Sequence, residues 1–407
     1  MPRRSAREKS RIMLGISAAA FLGPFTQTVY VPSLIEVGHH LQANTFLVNL
    51  TISIYTAILA VSSFLVGPLV DSRGRRAVLI PGLLVFVAGS LLCLLAQSYG
   101  AFLAGRILQA LGISAGSVVA AAVIGDIYLP KDRAHAMSHY QLLVYLGPVF
   151  GPVIGGLIAG YLHWWWAFAV LVAAGLLTAL YISHHLPETL NRSHSPSKLT
   201  LAGVRTVISS RSARSILLLG FSQFYGYYLF LVFLPLLTHA FGLSAVAKGL
   251  AFVPLTAGIV LGISAAKRWL GHWPGSRAVR VASYGVAANV LLLCLLLLTQ
   301  SLTIPLLAIN LLVYGVLLGG SLPAQSTILV NLFHAERATA VGLYNFTRFM
   351  GAAAGPLLGA LISTAFGIPA TLMSLALLLF ASGWLLQRWV HDPQEQARVS
   401  EIDQSSI

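Results

Sequence analysis

The chain has 407 residues, of which 57% are hydrophobic and 9% are charged, against roughly a quarter charged in ordinary soluble domains. This composition excludes a soluble globular protein. Apolar stretches of about 20 residues recur along the sequence, and each can cross a hydrocarbon core as a helix. The formal net charge is +14, which in a soluble protein would favour nucleic-acid binding.

The placement of Lys and Arg between the predicted spans explains the positive net charge without any binding of nucleic acid. Breaks at charged, Gly/Pro or His-rich points give twelve spans, and with a cytoplasmic N-terminus 22 of the 25 Lys and Arg lie in cytoplasmic segments. We therefore predict cytoplasmic termini in a plasma membrane, such as a bacterial inner membrane, and contact with anionic lipids. The spans are 12–35, 46–70, 77–97, 101–127, 134–160, 164–184, 214–239, 246–268, 276–299, 302–330, 336–365 and 368–390.

An internal repeat divides the chain. The polar connection 185–213 separates a predicted N-terminal six-helix bundle (1–184) from a C-terminal six-helix bundle with a short cytoplasmic tail (214–407). A shift of 204 residues aligns 132–158 with 336–362, and ten of the 27 positions are identical. Because both copies start in the cytoplasm, the repeat is parallel, as in transporters.

Three motifs carry a family resemblance. They are Gly67-Pro-Leu-Val-Asp71-Ser-Arg73-Gly74-Arg75-Arg76, Arg106-Ile-Leu-Gln109-Ala-Leu-Gly112 and Gly147-Pro148-Val-Phe-Gly151-Pro152-Val-Ile-Gly155-Gly156. Together they resemble the signatures of the major facilitator superfamily, in particular its twelve-span drug:proton antiporters, although Ala110 stands where a Gly is usual. The resemblance covers all twelve spans and implies an all-α fold of two parallel six-helix bundles.

In that family the first motif forms a conformational latch. The motif needs a tight turn at Gly74 and a close helix approach at Gly67. Its charge pairs would join Asp71 and Arg75 to Asp126 at the inner end of span 4, with Arg76 beside them. The alternative is that these arginines only direct insertion.

The third motif marks exporters in the family. Its members, which let helices approach and bend, are Gly147, Pro148, Gly151, Pro152, Gly155 and Gly156. Small-residue packing is the alternative, and it explains the span 11 copy, where Ala352 and Ala360 replace Pro148 and Gly156.

Two arginines lie inside predicted spans, where a charge is costly and typical of a functional site. The resemblance implies that Arg106 supports proton coupling or contacts substrate; an arginine reaching the headgroups is the alternative. Arg348 lies about 18 Å into span 11, and its repeat partner is Val144. It could pair with a polar group, line the cavity or bond backbone carbonyls.

The proton carrier departs from the family pattern. Many relatives have an Asp two residues before the Tyr of a span 1 segment, whereas here Thr28 precedes Tyr30 at that spacing. A hydroxyl cannot carry the proton, so Glu36, Asp126 or His139 would have to, unless each is structural.

No carboxylate lies deep in any predicted span. The positive charge of a lipophilic cation would therefore have no compensating negative charge, which disfavours cations as substrates. Polar stripes in spans 1, 4, 7 and 10, which line the cavity in the family, predict the lining; hydrogen bonding between helices is the alternative for each residue. The predicted lining residues are Gln27, Tyr30, Gln109, Ser117, Gln223, Tyr227, Asn310, Tyr314, Ser321, Gln325 and Arg348.

These observations predict a monomeric secondary transporter that exports a small amphipathic compound against protons by alternating access. The substrate is expected to be neutral, zwitterionic or anionic. An importer or facilitator of a nutrient, metabolite or siderophore is the alternative on the same fold, and an intramembrane enzyme or receptor is more remote. Neither an ATP-binding P-loop nor a zincin motif occurs, and we expect no cofactor, metal or enzymatic activity.

Overall fold

A computed structural model describes residues 5–190, 201–239, 241–272, 275–333 and 337–390. These residues form helices and short connections, with no β-strand among them. The helices are α1 (Ala6–Thr28), α2 (Leu34–His40), α3 (Thr45–Arg73), α4 (Arg75–Leu94), α5 (Tyr99–Ile113), α6 (Ala115–Ile127), α7 (Pro130–Tyr161), α8 (Trp166–His185), α9 (Leu201–Ser209), α10 (Arg211–His239), α11 (Ala245–Leu250), α12 (Val253–His272), α13 (Gly275–Leu298), α14 (Ile304–Leu332) and α15 (Arg337–Trp389).

Polar side chains fix where several helices begin. The Asn44 side chain accepts a hydrogen bond from the Leu47 backbone N–H at 2.9 Å, and Ser98 does the same for Ala101 at 3.3 Å. Such caps satisfy donors that the first helical turn leaves unpaired. The apolar runs between the caps then form helices because only a helix satisfies its own backbone in lipid.

The helices account for the twelve predicted spans. Ten helical segments of the described residues are long and apolar enough to cross a membrane. One of them contains spans 11 and 12, because α15 turns at Gly367, where φ is +84°. Span 5 is the apolar part of α7, Leu146–Tyr161.

One predicted span is interrupted where a continuous helix was expected. Span 1 breaks between α1 and α2 at a 3-10 turn, Val31–Ser33, where proline follows Val31. Span 4 contains α5 and α6, which meet at Ser114 with helical φ and ψ of −56° and −30°, so Tyr99–Ile127 forms one membrane-length segment.

The chain divides into two compact units. The first contains Met1–Lys198 and Leu231–Leu250, and the second contains Leu199–Phe230 and Ala251–Ile407. The predicted division at 185–213 put Leu231–Leu250 in the second half. The contacts put it in the first unit, where α11 packs on α7 through close contact of Gly249 with Gly156.

Candidate functional site

The predicted charge cluster forms at the end of α3. Arg75 Nε donates to Asp126 Oδ2 at 3.0 Å, and its Nη1 lies 3.4 Å from Asp71 Oδ1. The same Nη1 donates to the Val70 carbonyl at 3.0 Å. Arg75 is buried, which makes this arrangement stronger than a surface ion pair. We call Asp71, Arg75 and Asp126 the cytoplasmic charge cluster, after the side of the membrane on which the sequence predicts it to lie.

Two residues that sequence reasoning missed complete this cluster. Thr189 Oγ1 donates to Asp126 Oδ2 at 2.7 Å, so that oxygen accepts from both Thr189 and Arg75. Glu188 accepts from the backbone N–H of Arg75 at 2.9 Å and of Arg76 at 3.2 Å. The only sequence signal was a carboxylate shortly after span 6, which does not predict a partner over 100 residues earlier.

Glu188 caps the first turn of α4. Partial burial opposes its charge, but hydrogen bonds from the backbone of Leu190, Arg75, Arg76 and Thr189 outweigh it and lower the Glu188 pKa below its ordinary value. A carboxylate at a helix N-terminus is also favoured by the helix dipole.

The three other residues of the loop motif behave differently from one another. Gly74 has φ +109°, and an added Cβ would lie 2.5 Å from Glu188 Oε2, so both backbone conformation and space require glycine. Arg76 Nη2 donates to the Ser183 carbonyl at 2.8 Å. The close helix approach expected at Gly67 is absent: its position is half-buried and no described heavy atom lies within 4 Å of an added Cβ.

The antiporter motif packs α7 onto α1. An added Cβ at Gly147 would lie 3.0 Å from the Phe25 nitrogen, and at Gly151 and Gly155 it would overlap Thr28 and the Val29 carbonyl. Pro148 and Pro152 lie inside the same continuous helix. These glycines therefore allow the close backbone approach that the sequence predicted for them.

This packing also explains the environment of Thr28. Its hydroxyl donates to the Pro24 carbonyl at 3.0 Å, and its side chain faces Gly151. The position at which the family resemblance leads us to expect an acid is therefore occupied by a hydroxyl that bonds its own helix.

The second unit repeats the glycine packing on different helices. Added Cβ atoms at Gly351 and Gly355 of α15 would overlap the carbonyls of Phe221 and Tyr225 of α10. The repeat identified in the sequence thus corresponds to equivalent backbone approaches.

Arg106 lies in the interior of the first unit with an exposed fraction of 0%. Its Nη1 donates to Gln109 Oε1 at 2.8 Å and to the Thr26 carbonyl at 3.3 Å. Its guanidinium carbon lies 4.6 Å from the Tyr30 ring centroid and 4.2 Å from that of Tyr55. Nε and Nη2 have no hydrogen-bond partner.

The structure brings Gln27 and Tyr30 into the same interior. Gln27 Nε2 donates to Thr56 Oγ1 at 3.4 Å, and the Tyr30 hydroxyl lies 2.9 Å from that of Thr51. Ser117 does not join them: it is exposed, whereas Arg106 is fully buried. The shared stripe of Arg106 and Ser117 stays a prediction.

A second polar cluster joins α10, α14 and α15 in the second unit. Gln223 Oε1 accepts from Ser321 Oγ at 2.9 Å and from Gln325 Nε2 at 2.8 Å. The Tyr344 hydroxyl donates to Gln325 Oε1 at 3.0 Å. All four side chains are buried, and sequence reasoning missed Tyr344 because it considered that position only as a repeat match.

Arg348 lies at one side of this cluster. Its guanidinium carbon is 3.9 Å from the Phe224 ring centroid and 5.1 Å from that of Tyr344. Its Nη1 lies 3.4 Å from Asn345 Oδ1, and its Nε has no hydrogen-bond partner. Arg348 is half-buried.

The other predicted lining residues of α10 and α14 differ in their partners. Asn310 forms reciprocal bonds with Asn289 of α13, since Asn310 Nδ2 donates to the Asn289 carbonyl at 2.9 Å and Asn289 Nδ2 donates back at 3.0 Å. Tyr314 packs on Phe230 with ring centroids 4.7 Å apart. The buried Tyr227 hydroxyl has no partner.

Two of the candidate proton carriers, Glu36 and Asp126, form no described contact with Arg106. Glu36 is exposed on α2, and Asp126 belongs to the cytoplasmic charge cluster. The side chain of His139 lies outside the described part of the structure. Among the described residues, no group of three or more His, Cys, Asp and Glu could hold a metal ion.

Comparison with known proteins identifies the family. The sequence model of the Major Facilitator Superfamily matches residues 16–309 and 216–404. Multidrug resistance protein MdtL of Escherichia coli O81 (strain ED1a) is 32% identical over 176 residues, 42% of this chain and 45% of MdtL. Citrate exporter 1 of Aspergillus niger is 31% identical over 211 residues, 49% of this chain and 40% of the exporter. The chain thus spans less than half the length of these relatives.

Solved structures share the fold at lower identity. A D-xylose-proton symporter has a TM-score of 0.77 at 15% identity, covering 94% of this chain and 98% of the symporter. The human organic anion transporter MFSD10 (TETRAN) has a TM-score of 0.70 at 20% identity, covering 94% of this chain and all of MFSD10. These likenesses show the shared fold of a multi-pass membrane protein, and the matched family model is that of a family of transporters and not of enzymes. The chain belongs to the Major Facilitator Superfamily.

Proposed function

We propose that this transporter exports a small amphipathic compound by alternating access, in exchange for protons. Its substrate is neutral, zwitterionic or anionic, and it works as a monomer in a bacterial inner membrane. Both termini face the cytoplasm, which is supported by the placement of 22 Lys and Arg. The predicted bundles 1–184 and 214–407 would provide the two moving parts.

The observation that carries the substrate class is the charge of Arg106. Among the described residues, the ion pairs within 4 Å are those of Arg75 with Asp71 and Asp126. No described carboxylate therefore lies within 4 Å of the Arg106 guanidinium. A cation bound beside Arg106 would meet a like charge in a medium that screens it weakly. A neutral or negatively charged group avoids that repulsion.

Export is supported by the full span 5 motif and by two relatives. MdtL is named as a multidrug resistance protein, and Citrate exporter 1 is named as an exporter. The glycines of the motif pack α7 closely on α1, which supports a bending or sliding role for this helix pair. The likeness to a proton symporter concerns the fold alone and does not give direction.

Proton exchange requires a titrating group away from Arg106. Asp126 is the best placed of the three candidates, because protonation would weaken its bond to Arg75 and so connect proton uptake with the cytoplasmic charge cluster. Glu36 and His139 remain the other proposed carriers.

Transport by the purified protein in liposomes tests this proposal. An imposed pH gradient should drive uphill movement of an amphipathic carboxylate or amide, but not of a quaternary ammonium dye. Asp126→Asn should abolish the effect of the gradient. Robust transport of the dye by the wild type would refute the substrate class, and transport indifferent to the gradient would refute antiport.

A further inference from the structure

Six side chains of the second unit form a continuous series of direct contacts. Gln223 bonds Gln325, which bonds Tyr344; Tyr344 contacts Arg348, which lies over Phe224. The Phe224 and Tyr227 rings are 6.3 Å apart, and Tyr227 lies one helical turn after Gln223 on the same face of α10. This series of contacts places one guanidinium, two amides and two hydroxyls around aromatic rings.

The direction of the Gln223 amide follows from its partners. Its oxygen accepts from both Ser321 Oγ and Gln325 Nε2, so neither of these groups is a partner of the NH₂ group. That nitrogen is fully buried and has no hydrogen-bond partner among the described residues. A buried amide donor without a partner is unfavourable.

Two further polar atoms of this group have no hydrogen-bond partner in the part of the chain that the structure describes: Arg348 Nε and the Tyr227 hydroxyl. All three can donate a hydrogen bond, and two of them can only donate. Tyr227 is almost fully buried, whereas Arg348 is half-buried and gives the group its accessible side.

No described residue of the second unit can neutralise Arg348. The ranges 201–230, 251–272, 275–333 and 337–390 contain no Asp and no Glu. The guanidinium is held by ring contacts and one long hydrogen bond, which do not cancel its charge. An acceptor with a negative charge would satisfy both the charge and the unpaired donors.

We propose that Arg348, Gln223 and Tyr227 form a subsite that binds the carboxylate group of the transported compound. Arg348 offers a planar, charged donor suited to a carboxylate, and Gln223 and Tyr227 add neutral donors. The neighbouring ring of Phe224 provides an apolar surface for the rest of the compound. This subsite rests on the proposed function and narrows its substrate class to organic carboxylates.

Binding of a matched probe pair to the full chain in nanodiscs tests the subsite. Calorimetric titration should show 1-naphthoate binding at least tenfold more tightly than 1-naphthamide. In Arg348→Gln the naphthoate affinity should fall at least tenfold while the naphthamide affinity changes less than twofold. Tyr227→Phe, which removes one hydroxyl, should cost naphthoate a few-fold and leave naphthamide unchanged.

Arg388→Gln is the matched control, because Arg388 also lies over a ring, that of Trp384, but is exposed near the end of α15. It should leave both affinities unchanged. Equal binding of the two probes by the wild type, absence of naphthoate binding, or an unchanged preference in Arg348→Gln and Tyr227→Phe would overturn the subsite.

The same liposomes separate this inference from the proposed function. Uphill export without any carboxylate preference would leave the exporter standing and remove the subsite. Naphthoate binding that depends on Arg348, without uphill movement of naphthoate, would retain the subsite and remove the export assignment.

Discussion

The two units share their helix packing but not their charges. Gly151 and Gly355, which are repeat partners, both let a helix approach the backbone of another, against Thr28 and Tyr225 respectively. The arginines have no such correspondence: the repeat partner of Arg348 is Val144. Arg106 lies 204 residues before Asn310, a neutral residue bonded to α13.

The two arginines also differ in accessibility. Arg106 is fully buried between two tyrosine rings, whereas Arg348 is half-buried on Phe224 and Tyr344. A buried charge costs free energy, and this cost is larger for Arg106, which is the more buried of the two arginines. Packing is thus the repeated framework, and polar chemistry is what distinguishes the units.

Substitution of the repeated glycines should have the largest effect. In the repeat partners Gly151→Ala and Gly355→Ala, the added Cβ would overlap Thr28 and the Tyr225 carbonyl respectively, and we expect each to destabilise the protein by about 3 kcal/mol. Thermal unfolding in detergent measures the change. Gly100→Ala is the control, since nothing lies within 4 Å of its added Cβ. A large effect in only one unit would show that the packing is not equivalent.

The cytoplasmic charge cluster gives the next largest effect, and it has no counterpart among the described residues of the second unit, which include no Asp or Glu. Arg75→Ala leaves Asp126 with Thr189 but no cation. We expect a loss of about 2 kcal/mol in stability and a transport rate reduced about tenfold. Proteoliposome transport rates and unfolding curves would measure both.

The exposed Arg73→Ala is the control for membrane insertion, because it removes one positive charge from the same segment. Equal losses in Arg73→Ala and Arg75→Ala would mean that these arginines act only through insertion, as the alternative interpretation of the loop motif holds.

Arg106 and Arg348 should differ in how strongly each prevents the binding of a cationic compound. Arg106→Met removes the buried positive charge, so a quaternary ammonium dye should bind about tenfold more tightly than to the wild type. Arg348→Met should change dye binding less, because solvent screens a half-buried charge. Dye fluorescence titration measures both affinities. If Arg348→Met raised the dye affinity more than Arg106→Met, then Arg348 and not Arg106 would be the charge that prevents binding of a cation.

Features with a local cause could be predicted from the sequence. Apolar run lengths give the helices, Gly74 gives the turn, and the spacing of Arg75 from Asp71 gives their pair. The small residues of span 5 likewise predicted close approach, which the structure shows against Thr28.

Features that depend on tertiary contacts could not be predicted. Ser117 is exposed whereas Arg106 is fully buried, a difference that depends on which helices pack around each residue and that helical phase alone does not specify. The bond from Thr189 to Asp126 joins residues 63 positions apart, and nothing local in either segment specifies it.

The smallest predicted effect concerns the cap that α4 of the first unit receives from Glu188. The folded-state pKa of Glu188 lies below its ordinary value of 4.5, so the charged form stabilises the fold above that value, and this contribution is lost as pH falls through the folded pKa. Glu188→Gln should therefore lower stability by about 1 kcal/mol at pH 7, and wild type and variant should converge below pH 4.5 as Glu188 protonates. Unfolding curves across that range measure the difference. A difference independent of pH would mean that Glu188 acts through packing and not through its charge, and the cap would then not distinguish the first unit electrostatically.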